Sequence, residues 1–316
     1  MLRYFNILKS EDIKVTKDKK GFLIIAISSI GFGTLGIWSK LGYKAGISPL
    51  ELLTMRFTFA AILLWIYAII KHRSEIKIGF KNMAKLFLQG GIAYAFTSIA
   101  YFYALKYLPV SLTAILFYLH PIYTFFITIV LFKEKISLKR WGALLLTFVG
   151  ILLLVGISNG HFDYNMIGVY LIILAGMCYS VFAITNQALK ADCDGFISTV
   201  YSVTFCALTM NIITRPGLSL WTSLDMSQWL VVIGIAFFGT VVGMFGLIVG
   251  IRLVGATAAS IYSSIEPLSA SIFALVLLNE HLSIMQFIGA VMVLLGVTII
   301  KAEQAAGSVT TQNSGG

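Results

Sequence analysis

Apolar residues fill this chain in stretches of bilayer length, parted by short polar joints. A helix needs roughly 20 mostly apolar residues to cross the hydrocarbon core. Ten stretches approach that length, at about 22–41, 51–70, 84–105, 110–132, 139–157, 166–189, 196–214, 228–251, 257–278 and 283–300. The short alternating segments of a transmembrane barrel are absent. Irregular backbone cannot face lipid, because its amide groups would go unpaired. Gly46-Ile47-Ser48-Pro49 and Arg215-Pro216-Gly217 are clear turn signals between stretches. The pattern predicts an all-α integral membrane protein with ten transmembrane helices.

The pattern also repeats. Lys106 to Trp141 reads KYLPVSLTAILFYLHPIYTFFITIVLFKEKISLKRW, and the same design returns from Arg252 to Phe287. Laid over each other without gaps, Lys106 meets Arg252 and His120-Pro121 meets Glu266-Pro267. Glu134 meets Glu280, Ser137 meets Ser283, and Gly150 meets Gly296. The expected organisation is a basic tail at 1–20, a first five-helix repeat at 21–158, a second at 159–301, and a disordered polar tail at 302–316. Five spans per half is an odd number, so the halves enter the membrane in opposite directions. Inverted repeats are a common plan for secondary transporters, with the site near the midplane. The plan alone also permits a channel.

Composition agrees with the pattern. Hydrophobic residues make up 59% of the chain and charged residues 11%, with a mean hydropathy of +0.92. A soluble domain carries about a quarter charged residues, so that class is excluded. The cysteines Cys178, Cys193 and Cys206 are odd in number and fit neither a disulfide framework nor a metal site. The polar, charged first twenty residues do not read as a cleavable signal peptide. Lys and Arg gather in the 1–20 tail, at 71–85, at 133–140, and at Lys190, Arg252 and Lys301. Those segments are cytoplasmic by the positive-inside rule, which places both termini inside a cell (inner, cytoplasmic) membrane. The net charge of +10 then follows from topology and the anionic inner leaflet, and calls for no nucleic-acid partner.

Candidate chemistry lies on polar faces inside the spans. Tyr94, Ser98 and Tyr101 share one face of the third stretch. Thr113, His120, Thr124 and Thr128 align on the fourth; Tyr179, Asn186 and Lys190 on the sixth; Ala259, Ser263, Glu266 and Ala270 on the ninth. Thr34 and Trp38 join them from the first. Polar groups facing hydrocarbon are costly, so these faces point into the bundle or a wet cavity. Scattered Thr and Ser read as satisfied interhelical hydrogen bonds. The substrate-binding candidates are Trp38, Tyr94, Ser98, Tyr101, His120, Tyr179, Asn186, Ser263 and Glu266. His120 and Glu266 are the sharpest pair: mid-span, each before a proline, and repeat mates. They are the proton-coupling candidates, and Pro121 and Pro267 are expected helix kinks. The stripes Ala93, Thr97, Ala100, Ala104 and Gly239, Gly243, Gly246, Gly250 read as helix packing. Arg56 reads as a snorkelling side chain near a span end. Glu134 and Glu280 read as structural partners of helix ends or basic residues. No phosphate loop, metal spacing or supported nucleophile is visible, so no ATPase, metal, cofactor or enzyme is expected.

The repeated stretches resemble the EamA-type transporters of the drug/metabolite transporter superfamily. The matching residues are Ala104-Leu105-Lys106-Tyr107, Pro121, Glu134-Lys135-Ile136-Ser137, Gly142 and Gly150. They recur as Gly250-Ile251-Arg252, Pro267, Glu280-His281-Leu282-Ser283, Gly289 and Gly296. Met55-Arg56-Phe57 with Ala60-Ala61 is similar to that family's Arg-Phe signature. The resemblance implies ten helices in inverted five-helix repeats. It implies a central cavity lined by the first, third, fourth, sixth, eighth and ninth, and movement of amino acids or related small metabolites. The expectation is a secondary transporter, an exporter by the resemblance, working by alternating access on a small-molecule solute in a lipid bilayer, with protons as the candidate coupling ion. A passive channel and an intramembrane enzyme are the alternatives.

Overall fold

The computed structural model describes residues 19–132, 138–155, 157–158, 161–162, 164–189, 194–217 and 219–313. Nearly all are helical. Helix α1 is Lys19–Lys44, with a break at Thr34, and α2 is Pro49–Lys71. Helix α3 covers 80–107, built from Phe80–Leu86, a π-helical stretch Phe87–Tyr94, and Ala95–Tyr107. Helix α4 has two pieces, Val110–Phe117 and His120–Phe132. Helix α5 is Leu138–Val155, α6 is Met166–Leu189 and α7 is Gly195–Thr214. Helix α8 is Met226–Gly255, with a π-helical stretch at Phe237–Val242. Helix α9 begins after Gly255, breaks at Ser263-Ser264 and resumes as Ile265–Leu278; α10 is Ile284–Asn313. A one-turn helix, Ser219–Thr222, and a two-residue antiparallel pair, Ile157–Ser158 with His161–Phe162, complete the described elements.

The helices start where their sequences can satisfy the first free amides. Ser48 accepts from the Glu51 amide while the Glu51 carboxylate accepts from the Ser48 amide, and Pro49 follows as the first helical residue. Asp194, its repeat mate, accepts from the amides of Phe196 and Ile197 at 2.8 and 3.2 Å. Asp225 with Gln228, and Ser283 with Gln286, close two further capping boxes. Bonds from the Gln228 amide and the Ser227 hydroxyl hold the Asp225 carboxyl below its ordinary range. Pro49 overlays Gly195, Phe80 overlays Met226 and Leu138 overlays Ile284, all in the register that matches Lys106 to Arg252.

Packing obeys the same symmetry. Repeat mates pack on each other as α2 with α7, α4 with α9, and α5 with α10. Contact of α3 with α6 is matched by contact of α8 with α1. The paired mates run antiparallel. Along α2 and α7, Thr54 bonds Thr214, Thr58 bonds Asn211 and Trp65 bonds Thr204. Along α5 and α10, Gly150 faces Gly289 and Thr147 faces Gly296. Side chains at Gly150 or Gly289 would strike the other's backbone carbonyl at 2.8 or 2.6 Å. Antiparallel packing of mates is the arrangement an inverted repeat requires. The glycine stripe of α8 is a packing surface: Gly239, Gly243, Gly246 and Gly250 meet Leu35, Phe32, Ser28 and Ile25 of α1.

Six helices are long and apolar enough to cross a membrane among the described residues: Lys19–Lys44, Pro49–Lys71, Met166–Thr185, Gly195–Thr214, Met226–Gly255 and Ile284–Ala302. Val110–Thr124, Trp141–Val155 and Ile265–Leu278 are apolar but shorter. Two helices are interrupted, α4 at Tyr118-Leu119 and α9 at Ser263-Ser264, each just ahead of a proline. Gly255, at φ +81°, redirects the chain between α8 and α9, a conformation open to glycine. Large apolar side chains cover the outer faces, among them Ile70, Leu145, Ile212 and Val276, each about two-thirds exposed. The last helix runs past 301 to Asn313, where the sequence reading placed a disordered tail.

Candidate functional site

The breaks in α4 and α9 meet. The Tyr118 hydroxyl lies 2.5 Å from Ser264 Oγ, and these two residues are repeat mates. His120 and Glu266 follow two positions after them. A line of aromatic rings passes beside the pair. Tyr101 of α3 packs on Phe117 at 5.0 Å, Phe117 on Tyr179 of α6 at 5.3 Å, and Tyr179 on Phe182 at 5.5 Å. Phe182 reaches Tyr94 at 4.9 Å, and the His120 ring stands edge-on to Tyr179 at 4.4 Å. Tyr101, His120, Tyr179, Ser263 and Glu266 keep partial exposure, whereas Tyr94 and Ser98 are buried. Glu266 lies within electrostatic reach of Tyr94, Tyr101, Tyr118 and Tyr179.

The candidate set therefore divides. Tyr94, Tyr101, His120, Tyr179 and Glu266 come together, with Ser263 at the α9 break, its hydroxyl donating to the Ala259 carbonyl. Trp38 stands apart, stacked on Phe238 at 6.3 Å and against Gly234 of α8. The Asn186 side chain and Glu134 lie outside what is described. Phe117, Phe182, Tyr118 and Ser264 complete the site. Pattern reading passes over such residues, because Phe and Tyr abound on every span. The overlay of Tyr118 on Ser264 was the available signal.

Arg56 is not a snorkelling residue. It is 2% exposed, its Nε donates to Thr240 Oγ1 at 2.8 Å and its Nη2 to the Gly239 carbonyl at 3.4 Å. Tyr94 lies within its electrostatic reach. Its guanidinium lies 4.7 Å from the Phe57 ring centre and 5.4 Å from that of Phe102. Tyr94 and Thr240 are repeat mates in the two π-helical stretches, so one cation lies close to both. A π-turn leaves backbone carbonyls off the regular ladder, and Gly239 offers one to Arg56.

Lys301 is the second departure. The sequence reading put it at the cytoplasmic end of the last span. It is 7% exposed, and its ammonium donates to the Tyr118 hydroxyl at 2.6 Å. Glu280 behaves as a partner of a helix end: its carboxylate accepts from the Val110 and Ser111 amides and the Ser111 hydroxyl, capping α4. At the opposite end of the bundle His72, Glu75 and Asp194 bring their ligand atoms within 4.8 Å of one another. Asp194 is already engaged by Arg252 and by the first amides of α7, so the group reads as a cross-link between α2, α7 and α8.

The family model described as the EamA-like transporter family matches residues 19–156 and again 166–302. The chain belongs to that family, within the drug/metabolite transporter superfamily. It is similar to an uncharacterized transporter of Clostridium kluyveri, 23% identical over 89% of this chain and 93% of that one. It is similar to the uncharacterized transporter YcbK of Bacillus subtilis, 24% identical over 88% and 92%. A WAT1-related protein of Arabidopsis thaliana is 24% identical over 96% of both chains. One solved crystal structure, 16% identical, superposes over 89% of this chain and 96% of that one with a TM-score of 0.62, a likeness of fold. The protein is a multi-pass membrane transporter.

Proposed function

We propose that the protein is a ten-span secondary transporter that moves amino acids or related small metabolites outward by alternating access, in a cell membrane, with both termini cytoplasmic. One observation carries the reading. Two broken helices that are repeat mates meet at Tyr118 and Ser264, with His120 and Glu266 beside an aromatic line. Broken helices at a repeat interface supply free backbone ends and room for a solute. Rocking one half against the other about that contact exposes the site to one side and then the other. The aromatic line favours a solute with a ring or apolar body, and Glu266 supplies one charged contact.

The test starts with thermal unfolding of the purified protein against a metabolite panel, since a ligand that prefers the folded state stabilises it. A stabilising solute is then loaded into proteoliposomes. A carrier shows saturable uptake accelerated by the same solute on the far side. Non-saturating flux without that acceleration rejects the carrier in favour of a pore.

A further inference from the structure

Helix α4 begins without a cap of its own: Pro109 stands at its N-cap and offers no side-chain acceptor. The caps of α2, α7 and α8 are local, since Ser48, Asp194 and Asp225 each serve the helix they precede. The acceptor for α4 comes from the other repeat. Asn279 ends α9 in the left-handed conformation, at φ +53°, and Glu280 follows it. The Glu280 carboxylate accepts from the Val110 amide at 2.8 Å, the Ser111 amide at 3.1 Å and the Ser111 hydroxyl at 2.9 Å. Lys40 of α1 donates to the Leu108 carbonyl, just ahead of α4, at 2.9 Å. Ile37, Leu105, Val110 and Ala274 join α1, α3, α4 and α9 in one buried apolar layer, and Tyr101 of the candidate site packs against it. The helix pieces that meet here are Val110–Phe117 and Ile265–Leu278. The other piece of α4, His120–Phe132, packs on α6 and α10 and has no comparable contact with α9 among the described residues.

We propose that Glu280 is the latch that closes the solute path at this end of the bundle, the outer end in the proposed topology, and that this structure is the state with the latch shut. The inference rests on the alternating-access reading and names the residue that holds one of its two states. A carboxylate at the first free amides of a helix makes charge-assisted bonds and meets the positive end of the helix dipole. Here those bonds cross from one repeat to the other, so rocking the halves apart at this end breaks them. The Val110 and Ser111 amides and the carboxylate then face entering water, and each group exchanges one partner for another. Such an exchange costs far less than leaving the groups unpaired. A local cap would stay with its helix through the cycle and favour neither state. The apolar layer supplies the seal, and Glu280 biases how often it opens.

The test reads access to the site from each side of the membrane. In the full chain the three native cysteines are replaced, and Ser263→Cys, at the α9 break, serves as the reporter. A charged, membrane-impermeant methanethiosulfonate is applied to intact cells or to inverted membrane vesicles. The reporter alone should react slowly from outside and faster from inside. Glu280→Gln should raise the outer rate about 5-fold without raising the inner one, and Ser111→Ala, which removes one of the three bonds, about 2-fold. Together the two should fall short of the product of their effects, because both remove the same bond. Outer labelling at the unsubstituted rate in Glu280→Gln and Ser111→Ala overturns the proposal. Labelling that quickens equally from both sides also overturns it, since that is the mark of a loosened fold. In both cases a reporter that still favours one side leaves the alternating-access reading standing. A reporter that reacts fast and equally from both sides before any gate substitution overturns that reading as well, because a path open at both ends is a pore.

Discussion

The Tyr118 hydroxyl and Ser264 Oγ, 2.5 Å apart, occupy equivalent places in the two halves of the chain. A contact between equivalent positions lies on or near the axis that relates the halves. Both helices are interrupted there, and the bond joins the two interruptions. Tyr118→Phe and Ser264→Ala should each cost about 1 kcal/mol of stability. A double-mutant cycle should show coupling of ~0.6–2 kcal/mol, the range for interhelical hydrogen bonds in membranes. Thermal unfolding in detergent checks this, and additive losses would show that the bond joins nothing of consequence.

The tyrosines on the α3 face should separate by role. Tyr94 is buried against Phe57, Phe182 and Arg56, so Tyr94→Ala should act on stability, by about 3 kcal/mol or more. Tyr101 keeps partial exposure beside Phe117. Tyr101→Ala should raise the apparent KM for the transported solute by roughly 10-fold with little change in melting temperature. Saturation curves in proteoliposomes decide it. An unchanged KM for Tyr101→Ala would remove this wall from the site.

Arg56 should act as a cross-link through its fork of donors. Lys presents a point charge and cannot reach Thr240 and the Gly239 carbonyl together. Arg56→Lys is therefore expected to lose about 2 kcal/mol of stability, and Thr240→Val about 1 kcal/mol. Unfolding curves for both variants and their combination measure this. The combined loss should fall short of the sum, because both remove the same bond. Wild-type stability in Arg56→Lys would show that the fork of bonds adds nothing to the cross-link.

The repeat could be read before any coordinates. Laying Lys106 on Arg252 already placed Glu280 against Glu134 and His120 against Glu266. The same register carries the caps at Ser48 and Asp194. The proline just after each break was equally visible. What escaped the sequence were the charges. Arg56 and Lys301 each stand where a snorkelling side chain would stand, and position along a helix does not say which way a flexible cation turns. The rings escaped for another reason. Phe117 and Phe182 differ from dozens of apolar neighbours only in what stands opposite them in space. Trp38 of α1 was grouped with the site by pattern, and its ring packs on Phe238 and Gly234 of α8.

The orientation proposed from the basic segments can be tested by labelling. With Cys178, Cys193 and Cys206 replaced, single cysteines at Ser74 and Ser223, both exposed, should react from opposite sides of the membrane. Ser74 lies between α2 and α3, the expected cytoplasmic side, and Ser223 between α7 and α8, the expected outer side. Reaction of both from one side would contradict the proposed topology.

The central claim is that solute moves through the Tyr118–Ser264 junction by exchange of states, with Glu266 as its charged contact. Counterflow in proteoliposomes tests it most directly. Vesicles are loaded with unlabelled L-phenylalanine, or with another solute that stabilises the protein, and uptake of trace label is followed. Wild type should accumulate label transiently above equilibrium and saturate with external solute, and Glu266→Gln should lose the overshoot while still reaching the membrane folded. Uptake that rises linearly with concentration, shows no overshoot and is unchanged in Glu266→Gln would contradict the account.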